Sequence, residues 1–90
     1  MPLAIHFTTN ASREQYDEIW RRLDAANLHD PKGRLYHVSW GADGAIEALD
    51  VWESEADFNA FGQKLIPIAT DVGVEVTPSV SNAHKIVAAP

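Results

Sequence analysis

The chain has 90 residues, a formal net charge of −6 at pH 7 and no cysteine. This length fits one domain, and so small a domain buries only roughly 60–65% of its unfolded surface, so burial against a partner would add stability. Its acidic charge disfavours nucleic acid and anionic membranes as partners. Without cysteine there are no disulfides and no thiolate metal ligands. We expect a cytoplasmic protein, because the first residues lack signal-peptide character and no apolar run approaches about 18 residues.

The start of the chain predicts a strand followed by a helix. The alternation in PLAIHFTT is typical of a strand and places three apolar residues on one face: Leu3, Ile5 and Phe7. Ser12 and Gln15 have the spacing of a capping box, in which each side chain bonds the backbone amide of the other residue. An i, i+3, i+4, i+7 stripe then predicts a helix over residues 13–26, with Tyr16, Ile19, Trp20 and Leu23 on its apolar face.

The middle of the chain predicts a β-hairpin. RLYHVSW and AIEALDVWE have the composition of strands, and GADGA lies between them. Asp43-Gly44 predicts a two-residue type I′ turn, which needs a positive φ at both central positions.

A second helix and further β structure complete the chain. Ser54 is placed to cap the helix, whose buried stripe consists of Phe58, Phe61, Leu65, Ile68 and Val72. Pro67 falls within that stripe and predicts a kink, or an early end near Leu65. VEVTPSV and HKIVAA predict one or two final strands, with Pro78 at an edge or a bulge.

The resulting order is βαββαβ. Right-handed crossovers place both helices on one face of a four-stranded antiparallel sheet. We therefore predict a single α+β domain over residues 1–90 with a ferredoxin-like fold.

The two-residue turn sets the pairing of the hairpin strands. It places His37 opposite Asp50 and Leu35 opposite Trp52, whereas a three-residue loop would move every partner by one. Mostly apolar pairs are expected beneath the helices, namely Tyr36–Val51 and Val38–Leu49. The other face then carries a mixed set: Ala4, His6, Thr8, Leu35, His37, Ser39, Ile46, Ala48, Asp50 and Trp52.

This mixed face is too apolar for open water and too polar for an ordinary core. A polar-lined cavity with an apolar wall fits it better. One sheet cannot close such a cavity, but two copies packed sheet to sheet can. We therefore expect a homodimer that encloses a small-molecule ligand.

A resemblance to a known family is carried by the run GRLYHVSWGADGAIEALDVWESEADFNAFGQKLIP. The run matches the pattern of the dimeric α+β barrel superfamily at His37, the segment Asp50 to Ser54, Phe58, Phe61 and Pro67. The run resembles the small members of that superfamily near the antibiotic-biosynthesis monooxygenases. The resemblance implies a dimeric α+β barrel, and an activity such as cofactor-independent monooxygenation or a related cyclase or isomerase reaction.

His37 and Asp50 are the candidate catalytic residues. A carboxylate that accepts from one imidazole nitrogen fixes the tautomer and raises the basicity of the other, which suits proton abstraction from a phenol or an activated carbon acid. The alternative is a structural cross-strand pair, worth about 0.2–1 kcal/mol.

Four further residues are candidates for substrate binding. Trp52 and Leu35 would form the apolar wall of the cavity, and His6 and His84 could supply polar contacts. Because HxH and HExxH spacings are absent, we expect no metal, and we expect no cofactor.

Two functions of different classes remain open from the sequence. The first is a cofactor-independent monooxygenase-like enzyme acting on an aromatic or polyketide-like molecule. The second is a non-catalytic protein that uses the fold for ligand binding, dimerisation or assembly, since fold alone does not decide function.

Overall fold

The computed structural model describes residues 2–87 and has the predicted order βαββαβ. Its elements are β1 (Leu3–Thr9), α1 (Arg13–Ala25), β2 (Arg34–Trp40), β3 (Glu47–Trp52), α2 (Glu55–Val72) and β4 (Val76–Asn82). The strands form one antiparallel sheet in the order β2-β3-β1-β4. The ferredoxin-like prediction is confirmed. Neither helix in residues 2–87 combines the length and apolar character needed to cross a membrane.

The first helix begins at the predicted capping box. Ser12 Oγ accepts from the backbone N–H of Gln15 at 3.1 Å, and Gln15 Oε1 accepts from the backbone N–H of Ser12 at 3.0 Å. These bonds satisfy two of the amides that a helix start leaves without partners. The helix turns its stripe inward, where Ile19 and Leu23 are buried.

The second helix continues through Pro67 to Val72, so the predicted early end near Leu65 is wrong. Pro67 is exposed, and Phe61 and Ala69 on either side of it are buried. Burial on both sides offsets the one backbone bond that proline removes. The helix instead ends at Gly73, whose φ of +87° suits the left-handed conformation of a C-terminal cap.

The hairpin keeps the predicted register with a different turn. Ala45 N donates to Ala42 O at 2.9 Å, and Gly44 has a φ of +83° while φ at Asp43 is not positive. The type I′ prediction is therefore wrong. Asp43 Oδ1 accepts from the backbone N–H of Arg13 at 2.8 Å, so its side chain ties the turn to the start of α1. His37 still pairs with Asp50, as predicted.

The two sheet faces are exchanged relative to the sequence prediction on β2 and β3. β1 pairs with β3 so that Ile5 lies opposite Asp50 and Leu3 opposite Trp52. Because directly opposed residues share a face, Asp50 and Trp52 lie beneath the helices with the apolar residues of β1. The buried core consists of Leu3, Ile5, Phe7, Ala11, Ile19, Leu23, Ile46, Ala48, Trp52, Phe61, Ala69 and Val74.

The opposite sheet face is left uncovered by the two helices. Tyr36, expected in the core, is 56% exposed, and Trp40 is 45% exposed. Val38 is also exposed, and the neighbouring Leu49 and Val51 on β3 are half-buried. The pairs Tyr36–Val51 and Val38–Leu49 form as predicted but on this open face.

The last strand lies at the edge of the sheet. β4 pairs only with β1 among the described strands, which confirms an edge position for Pro78. Of the second predicted strand, HKIVAA, residues 84–87 are not in a strand, and residues 88–89 lie outside the described residues.

Candidate active site

Four side chains form a hydrogen-bonded chain beneath the helices. Trp52 Nε1 donates to Asp50 Oδ2 at 3.0 Å. Asp50 Oδ1 is hydrogen-bonded to His37 Nδ1, and His37 Nε2 lies 2.6 Å from the Tyr16 hydroxyl. Asp50 is only 2% exposed. A buried carboxylate is costly unless donors satisfy it, and here each oxygen has its own donor.

These partners fix the tautomer of His37. An ionised carboxylate can only accept, so His37 Nδ1 carries the hydrogen that it donates to Asp50. In the neutral imidazole, Nε2 is then a hydrogen-bond acceptor, and the Tyr16 hydroxyl donates to it. The basic nitrogen of His37 therefore points away from Asp50 and towards Tyr16.

Each member of the chain is placed by its secondary structure. Asp50 and Trp52 are two apart on β3 and so point to the same side of the sheet. The β2–β3 register brings His37 to Asp50. Tyr16 and Trp20 are four apart on α1 and lie over His37, with ring centroids 6.4 Å and 5.1 Å from the imidazole.

Tyr16 lies in a partly buried environment. Burial of the phenol raises the pKa of Tyr16 above its usual value near 10.0, and the negative charge of Asp50 acts in the same direction. The polar groups of Ser39 and Trp20 and the charge of Arg34 oppose the rise. Tyr16 is therefore protonated at neutral pH and able to donate to His37.

Three members of this chain, Tyr16, His37 and Asp50, line a cavity between sheet and helices. The cavity has a volume of about 60 Å³. Its wall is mostly apolar and consists of Phe7, Thr9, Ala11, Tyr16, Ile19, Trp20, Leu23, Arg34, His37, Ala48, Asp50, Phe61, Leu65, Val74 and Val76. A cavity that holds benzene has a volume of about 150 Å³, so an aromatic ligand needs side-chain movement to enter.

A β-bulge at the start of β2 changes which residue reaches this site. Arg34 pairs with Trp52 and Tyr36 with Val51, so Leu35 has no partner on β3. The predicted pairing of Leu35 with Trp52 is therefore wrong. Leu35 is 57% exposed, and the cavity is lined by Arg34 in its place. Bulges often redirect a side chain beside a site, because the extra residue reverses the alternation of faces.

The remaining predicted site residues lie elsewhere. His6 is on the open face of the sheet, where its Nε2 is 2.8 Å from Glu47 Oε1 and its ring stacks on Trp40. Trp52 is fully buried between Phe58 and Phe61 and does not line the cavity. His84 is exposed beyond β4 and does not line it either.

The residues that sequence reasoning missed are Tyr16, Trp20 and Arg34. The apolar stripe of α1 places Tyr16 and Trp20 in the core. Their i, i+4 spacing puts both polar groups on one face of the helix, and this spacing could have indicated a contact with the His37–Asp50 pair. No sequence signal marks the bulge that brings Arg34 to the cavity. Within residues 2–87, no group of three or more His, Cys, Asp or Glu side chains is arranged to hold a metal ion.

Comparison with known proteins gives matches among solved structures. No family model and no curated protein matches the chain. SnoaB, a cofactor-independent oxygenase from Streptomyces nogalater, matches with a TM-score of 0.62 at 16% identity, over 96% of this chain and 94% of its own. A candidate antibiotic-biosynthesis monooxygenase from Deinococcus radiodurans matches with a TM-score of 0.66 at 14% identity, over 98% of each chain.

The chain has the same ferredoxin-like fold as these two proteins. The designed protein Foldit4 also matches, with a TM-score of 0.63 at 7% identity, over 93% of this chain and 100% of its own. Natural and designed sequences thus share the fold at very low identity. Any assignment of activity must come from the site itself.

Proposed function

We propose that this protein binds an aromatic or polyketide-like small molecule between sheet and helices and oxygenates it without a cofactor. The observation that carries the proposal is the chain Asp50–His37–Tyr16, which ends in an apolar cavity. A buried carboxylate–imidazole pair in such a cavity is suited to removing a proton from a weak acid. The fold shared with SnoaB, itself a cofactor-independent oxygenase, adds support.

His37 is the proposed base and Asp50 its orienting partner. Because Tyr16 occupies the basic nitrogen of His37, the substrate proton passes to the phenol oxygen as the phenol gives its own proton to His37 Nε2. The imidazolium that forms is stabilised by the carboxylate of Asp50. Trp52 acts as a positioning residue, because its indole N–H holds the second oxygen of Asp50.

The reaction balances with dioxygen as the only co-reactant. A ring CH₂ between two aromatic rings, acidified by a conjugated ketone, loses a proton. The resulting carbanion reduces dioxygen to a peroxide bound to the same carbon. Loss of water then leaves a carbonyl, so one oxygen atom enters the product and the other leaves as water. The substrate supplies all four electrons, and no external reductant is needed.

The open face of the sheet is the proposed homodimer interface. Tyr36, Val38 and Trp40 are exposed there, next to the half-buried Leu49 and Val51. A contiguous apolar patch of this kind marks an interaction surface. A second copy packed on it, as expected for a dimeric α+β barrel, would bury on the order of 2,000 Å² in total.

Oxygen uptake with an anthrone, a tricyclic ketone with an acidic CH₂, tests the proposed activity after subtraction of the spontaneous rate. His37→Ala is expected to lower the rate by about 10²–10⁴-fold, the usual contribution of an acid–base group. His84→Ala is the matched control, since His84 is exposed beyond β4 and does not line the cavity, and it should keep the parent rate. Equal rates for His37→Ala and the parent contradict the proposal.

A non-catalytic role in ligand binding, dimerisation or assembly is the competing function, and it gains support because an aromatic ligand cannot enter a cavity of about 60 Å³ without side-chain movement. Native mass spectrometry of protein purified without added ligand separates the two. A retained small molecule that the protein does not convert in air favours the binding role. A dimer that converts the anthrone and retains nothing favours the enzyme.

A further inference from the structure

Arg34 is a half-buried cation in the wall of the cavity. Its guanidinium carbon lies 5.2 Å from the ring centroid of Trp20 and 5.9 Å from that of Phe61. Stacking on aromatic rings holds the guanidinium plane in place. One terminal nitrogen also donates to the backbone carbonyl of His29. These contacts hold the side chain in the cavity that His37 and Asp50 also line.

This position depends on the bulge in β2. Without the extra residue, Leu35 would lie opposite Trp52, and Arg34 would lie opposite Glu53 on the open face. With it, Arg34 takes the place opposite Trp52, and regular pairing resumes where Glu53 N donates to Gly33 O at 2.8 Å. A bulge that exchanges a leucine for an arginine at a cavity is typical of a functional site rather than of a core.

Among the described residues, Arg34 has no carboxylate partner of its own. The chain has 13 acidic and 7 basic residues, and Arg21 and Arg22 form ion pairs with Glu18. Within residues 2–87, Arg34 makes no ion pair with a carboxylate. A guanidinium carries five N–H donors, and the bond to the His29 carbonyl uses one nitrogen. A partly desolvated cation with free donors favours an anionic ligand.

The charges of the cavity balance when a substrate proton moves to His37. Before transfer, Arg34 is positive, Asp50 is negative, and His37 and the substrate are neutral. After transfer, the substrate is an oxyanion and His37 is positive, so the net charge is again zero. Arg34 and the His37–Asp50 pair both line the cavity. Arg34 can therefore face the substrate oxygen on which negative charge develops. A fixed positive charge at that place gives the transition state its largest electrostatic stabilisation.

We propose that Arg34 binds the oxyanion of the ligand, and that the ligand is an aromatic phenol or enol bound as its phenolate or enolate. This deepens the proposed function and rests on it for the role of His37. The anion-binding role itself does not need turnover. A single-ring phenolate is the smallest probe that can report it in so small a cavity.

The affinities of 4-nitrophenolate and of nitrobenzene, an uncharged molecule of similar shape, are compared by calorimetry at a pH where the nitrophenol is ionised. The parent protein is expected to prefer the anion by at least about tenfold, the size of one charge-assisted hydrogen bond. Arg34→Gln should remove that preference, and Arg34→Lys should keep most of it. Arg21→Gln, a change at an exposed and ion-paired arginine, should leave it intact.

Two results overturn the proposal: a parent protein without preference for the anion, or an Arg34→Gln variant that keeps the full preference. If Arg34→Gln fails to fold, the parent alone decides. The Nε–Hε NMR signal of Arg34 should move on titration with 4-nitrophenolate but not with nitrobenzene, and an unmoved signal contradicts the assignment. These measurements report binding and the anthrone assay reports turnover, so the two tests are independent. If oxygenation fails, the anion-binding role of Arg34 is still tested, and if anion binding fails, the proposed oxygenation is still tested.

Discussion

Asp50 and Trp52 lie two residues apart on β3 and point together beneath the helices, where the indole N–H of Trp52 donates to Oδ2 of Asp50 at 3.0 Å. Both side chains are buried: Trp52 is 0% exposed and Asp50 is 2% exposed. The largest aromatic side chain is thus also the donor that satisfies a buried carboxylate. With His37 on the other oxygen, both oxygens of the buried side chain have a hydrogen-bond partner.

Asp50→Asn is expected to disturb the tautomer of His37. The amide keeps the shape of the carboxylate but offers one acceptor oxygen for two donors, Trp52 Nε1 and His37 Nδ1. The ring of His37 should then lose its preference for the hydrogen on Nδ1. Nitrogen NMR of the imidazole measures this directly. The same Nδ1–H tautomer in both proteins would show that Asp50 does not orient His37.

Asp50→Asn is also expected to destabilise the protein by about 1–3 kcal/mol, because one buried donor is left without its acceptor. Asp71→Asn is the matched control, since Asp71 is exposed and pairs with Arg22 at the surface. Its effect should stay within about 0.5 kcal/mol. Urea denaturation gives both values, and equal midpoints for the two variants contradict the buried network.

Phe61→Ala is expected to lower the free energy of unfolding by about 3–5 kcal/mol, the cost of a large-to-small change in a packed core. Phe61 is buried, and its ring lies 5.3 Å from that of Trp52. Ile66→Ala on the exposed side of α2 is the control and should cost much less. Equal melting temperatures for the two variants would contradict the assignment of Phe61 to the core.

The stability of the protein is expected to fall as pH rises above about 10, partly through Tyr16. Burial raises the pKa of Tyr16, so above the pKa of the unfolded chain the folded state holds more protons than the unfolded state. Raising the pH then favours unfolding. Tyr16→Phe should flatten this decline. Urea midpoints from pH 8 to 11 measure the slopes, and parallel curves for the parent and the variant exclude the effect.

Sedimentation at micromolar concentration is expected to give the mass of a dimer. Leu49→Arg places a charge at the centre of the open sheet face and should yield a monomer or an unfolded chain, because a buried unpaired charge opposes association. Gln63→Arg adds the same charge on the exposed side of α2 and should remain dimeric. A folded parent protein that sediments as a monomer contradicts the proposed interface.

The local structure follows from the sequence because its causes are local. Period-2 and period-3.6 patterns mark the strands and helices, and the Ser12–Gln15 box marks where α1 begins. The hairpin spacing was enough to pair His37 with Asp50 even though the turn type differs. Turn length, rather than turn type, sets that register.

The tertiary structure decided which side of the sheet these residues face. That choice depends on the β1–β3 register, which joins residues 39 to 49 positions apart, and on whether buried polar groups find partners. Tyr16 from α1 and Trp52 from β3 supply those partners, so the side of β2 and β3 that carries His37 and Asp50 is buried, and the more apolar side of these two strands is left open. The bulge that exchanges Leu35 for Arg34 likewise has no local signature, because it depends on how β2 meets β3. The strands, the helices and the pairing of His37 with Asp50 follow from local sequence, whereas long-range packing places the side chains that form the site.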